Sequence, residues 1–372
     1  MKIALVQFYE YHEEVLAPQI SFLENDHNIF LAAPKTVFNN EYISFYRESF
    51  NSICFTEFKY LKSLVLFRII SIINKYIFLY KNHRKYRFDL IVFNTITKNF
   101  HYSLIHFLFN KVKNIQIIHN LYPLTKNNGK YLNRFFNNLF LSHDIHQNFV
   151  NSIANANKET LSNWFCPLLP INFISDYKSE NIVFDNSVIN IVIPGSVDER
   201  RRNYASLFEA LKKYIYKKNL KFKIHLIGKI SFTMIEKLKN YGIESLITYF
   251  TSYVSSKDML YCIKNADAVV FLIDSKIGEN YILYNNYKVS GTTNLCLSFG
   301  TPCVVSDEYK IENALRDKAI FYPNDDIGTV LEKIENGNLT KEHFSRLRSL
   351  PLNAEYSFEN QKNRYLNALG II

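Results

Sequence analysis

Two segments in the second half of the chain gather small, polar and positively charged residues in a pattern suited to holding an anion. The first runs Ile191-Val192-Ile193-Pro194-Gly195-Ser196 and continues Val197-Asp198-Glu199-Arg200-Arg201-Arg202-Asn203-Tyr204. It reads as a strand ending in Gly-Ser, a short loop with three arginines, and a helix. A glycine lets backbone come close to a ligand, and guanidinium groups are permanent planar forks that match phosphate oxygens. Taken alone, the loop is equally a solvated basic turn. The second segment is Tyr287-Lys288-Val289-Ser290-Gly291-Thr292-Thr293-Asn294-Leu295, running on to Phe299-Gly300-Thr301-Pro302. Ser290 or Thr292 caps a helix start whose free N–H groups and dipole suit an anion, and Gly300 ends that helix. An uncharged helix start downstream of an arginine loop points to a diphosphate.

Other polar candidates are sparser. His119 closes the apolar run Ile115–Ile118, where a histidine either works on a hydroxyl or is structural. His143 and His146 sit three apart in a segment that reads as mixed strand and loop, without further ligands, and are read as structural. Asp325-Asp326 reads as a helix cap, and no Asp-x-Asp pair stands in a metal-binding context. The five cysteines never form a C-x-x-C pair, and most lie in apolar runs, as reduced buried thiols do in a reducing cytoplasm.

These residues need a scaffold, and the hydrophobic pattern supplies one. Short β-branched and aromatic runs, typical of strands buried on both faces of a parallel sheet, recur at Lys2–Phe8, Ile29–Ala33, Asp89–Asn94, Ile115–His119 and Trp164–Leu169. After a polar stretch at Asp176–Asn190, read as a linker, they restart: Asn190–Pro194, Lys223–Ile227, Leu246–Phe250, Ala268–Ile273, Pro302–Ser306 and Ala319–Tyr322. Helix-length segments separate them, and 372 residues exceed what one core usually serves. Two doubly wound α/β domains follow, with ligands expected at the carboxyl ends of the strands.

The ordered set Gly195-Ser196, Arg201-Arg202-Asn203-Tyr204, Leu226-Ile227-Gly228, Ala266–Val270 and Phe299-Gly300-Thr301-Pro302-Cys303-Val304-Val305 resembles the C-terminal domain of GT-B glycosyltransferases. The resemblance is nearest to the group that builds bacterial surface polysaccharides. In the first half, Ile117-Ile118-His119-Asn120-Leu121-Tyr122-Pro123 resembles the strand end lining the acceptor side in that group. Tyr356-Ser357-Phe358 and the helix after it resemble the terminal helix that crosses back to the first domain.

This implies two Rossmann-like domains facing across a cleft: an acceptor-side domain over 1–175, a donor domain over 186–352 and a closing helix over 353–372. It also implies transfer of a sugar from a nucleotide-diphosphate sugar to a saccharide or lipid-linked acceptor, with no cofactor beyond that donor and no metal. Position by position, Gly195, Ser196, Arg201, Arg202, Lys288, Ser290, Gly291 and Thr292 match the diphosphate site. Tyr253 and Val254 fall where the family's loop meets the base, Asn294 is a donor contact, and His119 is the candidate catalytic residue.

One departure stands out. Retaining members carry two glutamates separated by seven residues, and the corresponding positions here hold Tyr287 and Leu295, while Glu279 falls eight residues too early. A binding protein of this shape without transfer activity, and a sugar-nucleotide epimerase of the same fold, therefore stay open. The epimerase needs acidic residues that no motif supplies.

Bulk composition limits the partners. The chain carries a net +10 without zinc spacing, RNA-binding motif or basic tail, which excludes nucleic acid. Its Met-Lys start runs straight into an apolar strand, and no apolar run reaches the roughly 18 residues of a membrane span. The segment Lys59–Phe88 holds eight Lys and Arg and no acid, with Leu61, Leu64, Val65, Ile69, Ile72, Ile73, Tyr76 and Ile77 at helical spacing. It reads either as a core-packed helix or as a face for an anionic membrane, with Lys75, Lys81, Arg84 and Lys85 as its charges. The protein is thus expected in the cytoplasm, or peripheral at the inner face of the plasma membrane.

Overall fold

The computed structural model describes all residues except 10–12, 56–64, 95, 97–98, 122–136, 154–161, 175–176 and 324. The chain divides into two compact units, Met1–Leu169 with Glu359–Ile372, and Pro170–Phe358. The polar stretch expected as a linker packs within the second unit. There the Asp258 carboxylate accepts from the Tyr177 hydroxyl at 2.8 Å and the Ser179 hydroxyl at 2.5 Å.

The first unit is built on seven parallel strands in the order β3-β2-β1-β4-β5-β6-β7. They are β1 (Lys2–Gln7), β2 (Asn28–Pro34), β3 (Phe50–Phe55), β4 (Leu90–Asn94), β5 (Lys113–Ile118), β6 (Asn137–Phe140) and β7 (Ser162–Trp164). Among its helices are α1 (Glu13–Leu23), α2 (Val65–Tyr86), α3 (Asn99–Phe109), α4 (His143–Ile153) and, from the end of the chain, α12 (Phe358–Leu369). β1 is buried at every residue but Lys2, and β4 throughout, as strands covered on both faces must be. On one face α2 and α3 bury Tyr76, Leu79, Ile105 and Phe109 against Ala4, Val6, Ile91 and Phe93. α12 closes the unit: Tyr365 packs with Phe22 and Phe165 and donates its hydroxyl to Gln19 at 3.0 Å.

The second unit has six parallel strands, β10-β9-β8-β11-β12-β13. These are β8 (Ile189–Pro194), β9 (Phe222–Lys229), β10 (Ile247–Phe250), β11 (Ala268–Val270), β12 (Cys303–Ser306) and β13 (Ala319–Tyr322), each where the apolar runs predict a strand. The helices used below are α5 (Tyr204–Leu211), α6 (Phe232–Tyr241), α7 (Ser256–Asn265), α8 (Glu279–Asn286), α9 (Gly291–Phe299), α10 (Gly328–Glu335) and α11 (Lys341–Ser349). Strand order reverses between β8 and β11, which makes the carboxyl ends of those two strands the switch point where such sheets take ligands.

Three first-unit strands depart from the sequence pattern: the run expected over Trp164–Leu169 gives only β7, Ser162–Trp164, whose Ser-Asn start is polar, and no strand over 165–169. β3 reads Phe-Asn-Ser-Ile-Cys-Phe, half-exposed at the sheet edge, and β6 begins Asn-Asn, so neither forms a continuous apolar run. The segment of His143 and His146 is helical, not strand and loop. His143 pairs with Asp144 at 3.5 Å and meets the Trp164 ring, and His146 packs on Phe140, so both serve structure. Of the five cysteines, all free, only Cys54 is exposed.

Candidate functional site

At the end of β8 the chain turns through Gly195 with φ +91°, a left-handed conformation that side-chain-bearing residues rarely adopt. The Gly195 amide still donates to the Ile227 carbonyl of β9 at 2.8 Å. A second glycine makes this crossing possible: a Cβ on Gly228 would lie 2.0 Å from the Gly195 carbonyl oxygen. The Gly-Ser end of β8 and the Gly of Leu226-Ile227-Gly228 are therefore one backbone contact.

The three arginines of the following loop take different roles. Arg200 is fixed to Asp198 at 2.6 Å, and this hydrogen-bonded pairing holds the Asp198 carboxyl below its usual range. Arg201 is exposed. Arg202 folds back over the turn: its guanidinium comes within 3.3 Å of where a Gly195 Cβ would stand, and Nη1 donates to the Ser196 carbonyl at 3.3 Å. Its Nε is buried and lacks a hydrogen-bond partner among the described residues. A buried donor left open is costly unless something accepts from it.

Asn203 ties the loop across the switch point. Its side-chain oxygen caps α5 by accepting from the Ser206 amide at 3.1 Å. Its Nδ2 donates to Asp274 at 2.9 Å, and its backbone N–H donates to the Leu272 carbonyl at 2.8 Å. Leu272, just past β11, has φ +50°, a strained conformation for a leucine. The Ser206 hydroxyl donates to the Asp325 carbonyl beyond β13. Loops after β8, β11 and β13 thus form one hydrogen-bonded rim.

Because α9 leads from β11 into β12 of a parallel sheet, its N-terminus lies at this same end. Ser290 occupies the cap position, but its hydroxyl accepts no helix N–H. A Cβ on Gly291 would meet nothing within 4 Å, so the helix start opens onto free space. Thr292 is buried, and the buried Asn294 has a side-chain oxygen with no partner among the described residues. Lys288 lies half-buried with its ammonium 5.3 Å from the Tyr284 ring centre. Tyr253, after β10, is 77% exposed, an open aromatic face, with Val254 beside it half-buried. In the first unit His119 follows β5 and is buried. Tyr122 and Pro123 of its segment lie outside the described residues.

Sequence reasoning missed a group of carboxylates on the same rim. Asp274 follows β11, Glu308 follows β12 and Asp325 follows β13. Ile327, not either aspartate, holds the cap position of α10; Asp326 accepts from the Gly328 amide at 2.9 Å just ahead of it, whereas Asp325 takes φ +61° and is buried. Glu308 accepts from the Ser275 amide at 2.8 Å, which holds its carboxyl low. Burial, then the Glu308 charge, push the Asp325 carboxyl up. Burial, against the Asn203 hydrogen bond, pushes the Asp274 carboxyl up to about 6. The expectation that acids are missing here does not hold. Far apart in sequence, they meet because neighbouring parallel strands end together. Among the described residues, no three His, Cys, Asp or Glu form a metal-ligand group.

The Asp274 shift has a measurable sign. A carboxyl with a raised folded-state pKa binds more protons folded than unfolded, so its contribution falls as pH rises from about 4 to about 6. Asp274→Asn removes that cost and keeps an acceptor for Asn203, but gives up the second oxygen that accepts from the Lys276 amide at 3.1 Å. The variant is expected to be more stable than wild type by about 2 kcal/mol above pH 7, with the gain fading below pH 4. Melting curves across that range check it, and a pH-independent difference would defeat the argument.

No protein-family model matches the sequence, and no curated protein matches it. Solved structures do. A lipopolysaccharide outer core galactosyltransferase in its apo form superposes with TM-score 0.57 at 14% identity, covering 99% of each chain. The UDP-GlcNAc 2-epimerase from Neisseria meningitidis bound to UDP-GlcNAc gives TM-score 0.63 at 12% identity, again covering 99% of each. Sucrose-phosphate synthase from Thermosynechococcus elongatus gives 0.59 at 12%, covering 99% of this chain and 95% of that one. With two parallel-sheet α/β units and neighbours that span its length, the chain has the GT-B fold.

Proposed function

We propose that this protein is a glycosyltransferase that moves a sugar from a nucleotide-diphosphate sugar to a saccharide or lipid-linked acceptor, in the synthesis of a bacterial surface polysaccharide. The observation that carries the reading is Arg202, folded over the left-handed Gly195 turn at the switch point with its Nε unpaired. Sugar transfer loads negative charge onto the departing diphosphate. Arg202, the exposed Arg201, Lys288 and the open start of α9 at Ser290, Gly291 and Thr292 would hold that charge, with Gly195 and Ser196 lining the phosphates. Tyr253 and Val254 would meet the base, and Asn294 would contact the donor. His119 would orient or deprotonate the acceptor hydroxyl. Free cysteines support a cytoplasmic location.

Epimerisation is the second reading, and a specific observation favours it. Asp274, Glu308 and Asp325 supply acids at the rim of a fold that UDP-GlcNAc 2-epimerases share. One experiment separates the two. The protein is incubated with UDP-, GDP-, dTDP- and CMP-sugars, with and without a saccharide acceptor. Transfer predicts nucleotide release that depends on the acceptor. A new sugar isomer without acceptor would establish the epimerase, and binding without turnover would establish a binding protein. Arg201, Arg202 and Lys288 would balance the charge of the departing diphosphate without a metal, so release is expected to survive EDTA within about twofold. Loss in EDTA with rescue by Mn²⁺ would overturn this leaving-group chemistry.

A further inference from the structure

The positive charge is concentrated in one stretch. From Lys59 to His143 the chain has 14 Lys and Arg against a single acid, Asp89, a net +13, while all other residues have 30 basic and 33 acidic groups, a net −3. Even that acid is engaged, its carboxylate accepting from the Lys2 amide at 2.7 Å.

The described part of this stretch includes α2 and α3, and α2 is two-faced. Inward, Tyr76 and Leu79 are fully buried, and the Tyr76 hydroxyl meets His101 Nδ1 of α3 at 2.9 Å. Lys75 also turns inward, donating to the Phe8 carbonyl at 2.9 Å, so it leaves the set of outward charges expected from sequence. Leu61 and Leu64 lie outside the described residues.

Outward, the helix shows Ile69, Ile70, Ile77 and Phe78, each between 36% and 43% exposed, and Phe107 of α3 is 79% exposed. Lys81, Arg84, Lys85 and Arg87 are exposed as well. Ile70, Ile77, Lys81 and Arg84 follow one another at spacings that keep them on one stripe of a helix. Its first half is apolar but for the exposed Asn74, and its second half is basic. Isoleucine and phenylalanine at such exposure are unfavourable in water unless something covers them.

We propose that this outward face of α2 docks in the plane of an anionic lipid bilayer. A bilayer takes both halves of the stripe: acyl chains receive the isoleucines, and headgroup phosphates receive the four cations. A nucleic acid would use the cations and leave the apolar side chains in water. The helix lies on the surface, because no helix among the described residues is long and apolar enough to cross a membrane. This docking is independent of the transfer reading, since it involves no residue assigned to the donor.

The test is co-sedimentation of the full chain with vesicles of phosphatidylcholine alone or with roughly 30% phosphatidylglycerol, at about 0.1 M and about 1 M salt. Binding is expected only to the anionic vesicles at low salt. Each basic residue near such a surface contributes about fivefold in partitioning, so replacing Lys81, Arg84, Lys85 and Arg87 by Gln should lower it by roughly a hundredfold or more. Replacing Ile70, Ile77 and Phe78 by Ser should also lower it. The matching exchange of the exposed Lys213, Lys218 and Lys239 in the second unit should not. Inorganic phosphate at the same ionic strength should compete no better than chloride.

A fluorophore on Ile77→Cys in a Cys54→Ser background removes dependence on the multiple variants, and its emission should shift to the blue on anionic vesicles alone. Four results would each overturn the proposal: no wild-type binding at low salt, equal loss with the second-unit lysines, no fluorophore shift, or a face covered in solution by a second copy of the chain.

Discussion

Gly228→Ala is expected to destabilise the second unit by about 3 kcal/mol or more, lowering its melting temperature by about 6–12 °C. The new Cβ would stand 2.0 Å from the Gly195 carbonyl oxygen, and backbone, unlike a side chain, has no rotamer to escape into. Relief requires β8 and β9 to separate where Pro194 pairs with Ile227 and Gly195 donates to the Ile227 carbonyl. The damage reaches the site as well, because the displaced carbonyl belongs to the turn beneath Arg202. Thermal melts with and without nucleotide diphosphate should show both losses. Without ligand, Gly291→Ala is the control, since its Cβ meets nothing and alanine suits a helix, so the melting point should hold or rise slightly. A melting point for Gly228→Ala within about 2 °C of wild type would mean that β8 and β9 do not cross this closely.

Arg202→Ala should weaken binding of the matching nucleoside diphosphate at least about tenfold and leave the nucleoside nearly unaffected. A hydrogen bond to a charged group is worth roughly 1.5–3 kcal/mol, and the buried Nε of this guanidinium lacks a partner among the described residues. Arg202→Lys should recover only part of the loss, because an ammonium cannot present the same planar fork. Arg200→Ala should cost little, its side chain being committed to Asp198. Calorimetric titration of each variant decides the matter. Equal losses for nucleoside and diphosphate would remove Arg202 from the phosphate contacts and leave Arg201 as the alternative.

The second sheet was legible because most of its strands are short, largely apolar runs, as at Ala268–Val270 and Ala319–Tyr322. β3 was not, since Asn51 and Ser52 interrupt a strand at the sheet's edge. The arginine loop could be seen in sequence, but the division of labour among Arg200, Arg201 and Arg202 could not. It depends on the left-handed turn at Gly195, which aims one of the three inward. Asp274, Glu308 and Asp325 carried a faint signal, each coming just after a strand. What joins them is the strand order β11-β12-β13, a property of topology rather than of local spacing.

The terminal helix α12 also bears on how the molecule is made. Tyr365 is buried in the first unit between Phe22 and Phe165, and Gln361 accepts from the Cys166 amide at 2.7 Å. During synthesis, Phe22 and Phe165 leave the ribosome long before the residue that covers them. The second unit, drawn from the continuous stretch Pro170–Phe358, can complete its core first. The first unit keeps Phe22 and Phe165 uncovered until α12 follows the second unit out.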